Sequence, residues 1–426
     1  ADEFIDPRPT SELLRQWSTL HPEFAYLPRK FKFAITGAGN DRALIKAHDI
    51  GLQLSRDENG LPLTDIWVGG GQGRTPKIAQ RLYRRVPLKE LIPHLEAILR
   101  IYNQYGRRDN KYKARIKILL ADLGVDTFRA LADEERSHLS RKKYAGIEAT
   151  YEDIAARFTL PTVDTASGEP PVAEKQSTLS VLHSASFTAW QNQNTRPHKH
   201  ADHSIVVVSL KSAGAIPGDL DAEGMRAIAA LARRFSHNEL RVTHRQNLVF
   251  PHVRRADLHL LWSELKRLQL AEDNIDLPSD IIACPGLDYC ALATARSIPI
   301  AQSVSQHIRQ REKEVDLTGV TVNISGCINA CAHHHVASIG VLGLDRGGTE
   351  NYQITLGGRA DGDIQLGERM GPGVAAEQVP SVVERVVNLY VDRRQTGESF
   401  DATFRRIGKA PFRSAVYGED DGKAIA

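Results

Sequence analysis

What most constrains this chain is that it repeats itself. Residues 33–40 (FAITGAGN) line up with 322–329 (VNISGCIN), each a short strand pattern running into a glycine turn, at an offset of about 288 residues. VGGG at 68–71 lines up with LGGR at 356–359, and a helical stretch holding Pro93 and Tyr102 matches one holding Pro380 and Tyr390. A basic segment follows each helix. Between the copies lies a different pattern. Residues 204–210 (SIVVVSL) read as a buried strand and 240–250 as a second, each followed or preceded by helical faces: Met225, Ile228, Leu231 and Phe235, then Leu258, Leu261, Trp262, Leu265 and Leu268. This β, α, β, α order predicts a small α+β sandwich, so the chain reads as module B, module A, module B.

Within the first copy, residues 29–36 (RKFKFAIT) alternate at the period of two that a strand requires. Residues 88–105 place Leu91, Ile92, Leu95, Ile98, Leu99 and Tyr102 on one helical face. The polar, proline-containing run 160–175 is the best linker, which sets the expected domains at 1–160, 178–275 and 276–426 with a linker at 161–177. A duplicated A-B unit also predicts a second A module before residue 1. With Met225 the first methionine, the expectation is that the sequence begins inside a longer protein.

Apolar residues at 41% and charged residues at 25% are ordinary for a soluble globular chain and exclude a disordered or collagen-like one. A net charge of +3 is too small to imply nucleic acid or an anionic membrane as partner, so any basic site is local. No apolar run approaches the roughly 20 residues that span a bilayer, and the N-terminal residues do not resemble a signal peptide. The expected location is cytoplasmic.

All four cysteines fall between Cys284 and Cys331, paired as Cys284 with Cys290 and Cys327 with Cys331. A disulfide pair fits poorly in a cytoplasmic chain. Structural zinc usually takes more closely spaced pairs than the first one here. Four converging thiolates suit an iron-sulfur cubane. Gly326 predicts a tight strand-to-helix turn, with Cys327 and Cys331 on one face of the first helical turn and unpaired N-H groups facing an anionic cluster.

ACPGLDYCALA at 283–293 with SGCINAC at 325–331 closely resembles the paired cysteine motifs of the sirohaem-dependent sulfite and nitrite reductases, most nearly the haemoprotein of bacterial assimilatory sulfite reductase. The resemblance covers nearly the whole chain. It implies an α+β fold of duplicated ferredoxin-like (A) and sirohaem/Fe-S (B) modules related by pseudo-two-fold symmetry, present here as B-A-B where complete members run A-B-A-B. It implies that Cys284, Cys290, Cys327 and Cys331 bind a 4Fe-4S cluster and that Cys331 also bridges to the sirohaem iron. LPRKFK at 27–32 is similar to the family's other strong motif, which implies that Lys30 and Lys32 bind the substrate anion and supply protons. By the same resemblance Arg29 and Arg115 pair with sirohaem carboxylates and Asn329 contacts the macrocycle. THRQNLVF at 243–250 resembles a strand that packs by the cofactor. The implied reaction is the six-electron reduction of sulfite to sulfide, with nitrite reduction to ammonia second, fed by a flavoprotein or a ferredoxin. In the family two arginines of a preceding A module complete the anion site, and this sequence holds no counterpart of that module.

Other features carry less. Consecutive residues His333, His334 and His335 would fan round a helix, so they are expected to be exposed or capping rather than ligands. GGGQG at 69–73 lacks the ending of a phosphate-binding loop. A reading of another class is a non-catalytic zinc- or cofactor-binding module, which a visible spectrum separates from a sirohaem enzyme.

Overall fold

The computed structural model describes residues 2–158 and 185–418, and the expected linker lies outside them. The chain divides into two compact units, one of Asp2–Leu160 with Ala360–Leu366, the other of Pro161–Arg359 with Gly367–Ala426.

The first unit is built on a four-stranded sheet in the order β1 (Phe33–Thr36), β2 (Ile50–Arg56), β3 (Pro62–Val68), β4 (Gln80–Pro87). β1 and β2 run parallel with Phe33 opposite Ile50, and the remaining pairs are antiparallel. Helix Leu88–Tyr105 buries Leu91, Ile92, Leu95, Ile98, Leu99 and Tyr102 in the unit's core, the face its periodicity predicts. β1 is shorter than the sequence pattern: it starts at Phe33, not at residue 29. The reason is its partner, since β2 begins at Ile50 and its N-H reaches back only to the Lys32 carbonyl, at 3.2 Å. The alternation persists without the ladder. Lys30 and Lys32 are exposed, while the ring of Phe31 packs 5.3 Å from Phe33 and 5.7 Å from Tyr102.

In the second unit, β5 (Thr195–Pro197), β6 (His203–Val208), β7 (Arg241–Val242) and β8 (Leu248–Arg254) form an antiparallel sheet in the order β5-β6-β8-β7. Helices Ala222–Phe235 and Leu258–Arg267 bury Ile228, Leu231, Phe235, Leu258, Leu261, Trp262 and Leu265 in the core shared with it. Two expectations fail here. Met225 is 57% exposed and lies off the buried helical face. Residues 240–250 are not one strand, because a turn in which Gln246 takes a left-handed φ of 60° separates β7 from β8.

The rest of this unit repeats the first. β9 (Ile282–Ala283), β10 (Val322–Ser325), β11 (Ile339–Arg346), β12 (Thr349–Leu356) and β13 (Glu368–Arg369) lie in the order β13-β12-β11-β10-β9, with β14 (Val374–Ala375) also on β12. Val322 faces Ile339 in parallel as Phe33 faces Ile50, and Ile339 faces Leu356 as Ile50 faces Val68. Gly37 and Gly326 follow equivalent strands, and each carbonyl accepts two successive N-H groups: Phe4 and Ile5 at 2.7 and 3.2 Å, Thr294 and Ala295 both at 2.9 Å. A Cβ at either glycine would run into the backbone of that capping segment. Among the described residues no helix is long and apolar enough to cross a membrane.

Candidate functional site

β9 and β10 are parallel neighbours with Ala283 opposite Ile324, so the chain leaves both strands at the same edge of the sheet. Cys284 follows β9 directly, and Cys327 follows β10 after Gly326. Parallel pairing therefore brings the start of both cysteine loops together. The Gly326 N-H donates to Cys284 Sγ at 3.1 Å, and the Cys284 N-H donates to the Ile324 carbonyl at 3.1 Å. A single helical turn, Gly286–Tyr289, separates Cys284 from Cys290, whose N-H closes on the Gly286 carbonyl at 2.9 Å. Gly286 has a φ of 59°, and a Cβ added at Gly326 would come within 2.9 Å of the Gly286 Cα. The loops thus meet backbone to backbone.

The second pair does not sit on a helix. The N-H groups of Ala330, His333 and Val336 close on the carbonyls of Cys327, Ala330 and His333 at 3.2, 2.9 and 3.1 Å, a series of turns three residues apart. Ala330 and His333 take left-handed φ values of 56° and 57°, which a right-handed helix cannot accommodate. Neither the shared helical face nor the helix-terminal N-H groups exist. Cys327 is buried, while Asn329 and Cys331 are exposed.

Asn323, buried in β10, donates from Nδ2 to the Ala332 carbonyl at 2.8 Å and so pins the turn just past Cys331. Sequence reasoning passed over it; a lone amide inside an apolar strand was the available signal, since a buried amide needs a partner. The histidine triplet also differs from expectation. His334 is fully buried, and neither ring nitrogen has a hydrogen-bond partner. Burial pushes its pKa well below the ordinary value. The short helical turn His334–Val336 tucks it toward β11, where Gly340 leaves room: a Cβ there would meet the His334 Cβ at 3.3 Å.

In the first unit the basic residues gather round a buried carboxylate. Asp49 accepts Arg115 Nε at 2.9 Å and Nη2 at 2.6 Å, and its Oδ2 accepts the Lys32 backbone N-H at 3.0 Å. Burial pushes the Asp49 carboxyl up, against the pull of Arg115 and of the Lys32 ammonium. Lys117, also buried, donates from Nζ to the Gln72 carbonyl in the glycine loop, and burial with Arg115 nearby takes its pKa down to about 8. Gly71 leaves space for this pair, since a Cβ would stand 3.2 Å from Lys117 Cδ and 3.7 Å from Arg115 Nη2. The structure therefore joins Lys32 and Arg115 through Asp49. Lys30 stands exposed beside them in sequence, and Arg29 is half-buried with its carbonyl 3.4 Å from the Tyr102 hydroxyl. Asp49 and Lys117 escape a reading of the sequence alone; Lys117 ends the basic segment 107–117 that follows helix Leu88–Tyr105, whereas Asp49 has no signal.

The nitrite and sulphite reductase 4Fe-4S domain matches residues 1–140 and 276–425, and the nitrite/sulfite reductase ferredoxin-like half domain matches 198–268. The chain belongs to the nitrite and sulfite reductase family. Among its relatives, a "Sulfite reductase [ferredoxin] 1" of Mycolicibacterium paratuberculosis is 29% identical over 97% of this chain and 68% of that protein. A "Ferredoxin--nitrite reductase" of Synechococcus elongatus is 26% identical over 91% of this chain and 69% of that protein. The solved structure of the NirA protein of Mycobacterium tuberculosis superposes with a TM-score of 0.69 at 27% identity, covering 97% of this chain and 69% of that one. The chain spans about two thirds of the length of these relatives: the sulfite reductase [ferredoxin] of Mycobacterium tuberculosis is matched over 66%.

The family's members are oxidoreductases that reduce sulfite or nitrite with sirohaem and a 4Fe-4S cluster. The donor set here fits such a cluster: four thiols on two touching loops, one of them already accepting a backbone N-H. Among the described residues no three His, Cys, Asp or Glu side chains gather closely enough to hold one metal ion. Ligands of a four-iron cluster each take a different iron and need no such convergence.

Proposed function

We propose that this chain forms the cluster-bearing and sirohaem-bearing part of an assimilatory sulfite reductase, with Cys284, Cys290, Cys327 and Cys331 holding the 4Fe-4S cluster and Cys331 bridging to sirohaem. The observation that carries it is the pair of cysteine loops leaving one edge of parallel β9 and β10, with the Gly326 N-H on Cys284 Sγ. When bound, the coupled cofactors supply electrons and a position for the anion. The protein's own groups do the rest. The Gly326 N-H, aimed at a thiolate, stabilises its negative charge. Arg115 spends Nε and Nη2 on Asp49 and keeps its remaining N-H groups for a sirohaem carboxylate. By the family resemblance Arg29 would pair with a sirohaem carboxylate and Asn329 would contact the macrocycle.

Lys30 and Lys32 bind the anion and hold the protons that leave with its oxygens, six protons and six electrons turning sulfite into sulfide and three waters. An ammonium that lies where charge develops lowers the barrier, and a positioned general acid is worth about 10² to 10⁴ in rate. A ferredoxin is the donor in this reading, which the names of the sulfite and nitrite reductase relatives support, and the setting is the cytoplasm. The names of several relatives favour sulfite, those of others nitrite, so nitrite stands as the second substrate.

The test is turnover of sulfite and of nitrite by the full-length protein with an artificial electron donor, alongside its visible spectrum. Sirohaem absorbance with a higher kcat/KM for sulfite is expected. A colourless protein that binds zinc would refute the reading. Lys30→Ala and Lys32→Ala should each lower kcat at least a hundredfold at unaltered sirohaem content; unaltered rates would remove both lysines from the site.

A further inference from the structure

The turn that splits the expected strand at 240–250 has a consequence for the cysteine loops. Gln246 spans to the end of β9 and satisfies both backbone groups of one residue: its Nε2 donates to the Ala283 carbonyl at 2.8 Å, and its Oε1 accepts the Ala283 N-H at 3.0 Å. A side-chain amide thus replaces a strand neighbour at the last residue before Cys284. Its own neighbours brace it. Arg245 pairs with Asp276 at 3.1 Å and Asp280 at 3.3 Å, and Asn247 Nδ2 donates to Asp280 Oδ1 at 2.9 Å. Asp280 also takes buried Lys211, whose Nζ lies 2.8 Å from Oδ1 and donates in addition to the Arg245 carbonyl. Three consecutive residues therefore grip the segment that leads to Cys284. From behind, Gly218 leaves the space Gln246 fills, since a Cβ there would stand 2.7 Å from Gln246 Cβ.

Gln246 holds this pose at a left-handed φ of 60°, a conformation that is costly for a residue other than glycine. The β7–β8 hairpin asks for a left-handed residue here, because the Gln246 N-H donates to the Thr243 carbonyl at 3.2 Å and the Thr243 N-H to the Asn247 carbonyl at 2.9 Å, and a glycine would meet that need at lower cost. What the strained glutamine adds is the amide at Ala283.

We propose that Gln246 is a positioning residue through which the ferredoxin-like half fixes the Cys284 ligand: it locks the Ala283 peptide and, through it, the direction in which the Cys284 thiolate meets the cluster. This rests on the reading that Cys284 is a cluster ligand. The same clamp fixes where the Gly326 N-H meets the sulfur, because Cys284 N-H and Gly326 N-H both bond across the β9 to β10 edge. Hydrogen bonds to cluster sulfurs set reduction potential, so loss of the clamp alters the cluster electronically before it costs the fold.

Two variants of the full-length holoprotein separate clamp from packing. Gln246→Gly removes the amide and relieves the backbone, so it folds; Gln246→Leu keeps bulk and removes only the hydrogen bonds. The readouts are amide hydrogen exchange across 281–286, iron per chain, and the electron paramagnetic resonance spectrum and midpoint potential of the reduced cluster. In both variants exchange at Ala283 should quicken at least tenfold and the cluster signal and potential should shift, with Tm and exchange in β11 held. Unaltered Ala283 exchange, or quickened exchange with spectrum and potential unmoved, overturns the positioning role while the cluster assignment stands. Wild-type protein that takes up no cluster iron overturns both.

Discussion

The two copies of module B share a frame and differ in what they hang on it. Gly51 and Gly340 each pack against the carbonyl of the turn before their strand, Ile45 and His334 respectively; Gly69 and Gly357 each lie under a side chain of a later helix, Leu120 and Phe404. The hydroxyls of Tyr102 and Tyr390 both donate to a downstream carbonyl at 2.8 Å, those of Ala114 and Glu398. The differences cluster just past β1 and β10. In the first copy Asp41 accepts the N-H groups of Ala43 and Ile45 at 3.1 and 2.9 Å, and Asp49 binds Arg115. In the second, Ala330 stands at the place of Asp41, Ser338 and Thr321 pair in place of Asp49 and Lys32, and Asn323 replaces Ala34 to hold the cysteine turn. Duplication kept register and close-contact glycines because a side chain added there would strike backbone at Gly37, Gly326, Gly51 and Gly340 and a packed side chain at Gly69 and Gly357. The strand-end loops differ: one copy carries the Asp49 and Arg115 pair, the other the paired cysteines.

The largest effect should come from the paired glycines. Gly37→Ala and Gly326→Ala both force a Cβ into a backbone carbonyl, and overpacking of this kind costs about 3 kcal/mol or more. Both should lower the urea midpoint, but only Gly326→Ala should lower iron per chain at equal folded fraction. Equal iron in the two would dissolve the distinction between the copies. Next, Asp49→Ala strands Arg115 and should cost about 3 kcal/mol, as breaking a buried ion pair does, whereas Ser338→Ala gives up one weak hydroxyl contact, about 1 kcal/mol or less. Denaturant titrations of the pair check the ratio. Tyr102→Phe and Tyr390→Phe should cost about 1 kcal/mol each, and equally, if the copies share this bond.

The most gradual effect is that of acid. Burial pushes His48 and His94 below the ordinary 6.5 in the first copy, and the crowd of His203, His252 and His200 adds to burial to take His198 down to about 4 in the ferredoxin-like half. The folded state then binds fewer protons than the unfolded one, so stability is complete above pH 6.5 and falls as pH drops toward the folded pKa. Denaturant midpoints at pH 7, 6 and 5 should decline in that order; a rise would reverse the sign of these shifts.

Much of this was legible in the sequence for physical reasons. Helix Leu88–Tyr105 was readable because its apolar stripe has an unbroken 3.6-residue period, and the repeat because strand, glycine and helix recur in order. The cysteines stood out by crowding. What escaped depends on left-handed residues that carry no glycine. Ala330 and His333 turn the expected helix after Cys327 into serial turns, and Gln246 breaks a strand pattern that looks continuous. Partners distant in sequence escaped too: nothing near Asp49 announces Arg115, and nothing in the histidine triplet shows that only His334 is swallowed by the core.

The central claim is that one copy of the module holds the cluster and shares its last thiolate with sirohaem. The direct measurement is low-temperature electron paramagnetic resonance with iron analysis on Cys331→Ser and on Arg42→Ser, the corresponding position of the other copy, in the full-length protein. Arg42→Ser should keep wild-type iron and wild-type coupling between haem and cluster, while Cys331→Ser should lose that coupling or fail to assemble the pair. Coupling that survives Cys331→Ser, or vanishes in Arg42→Ser, would contradict it.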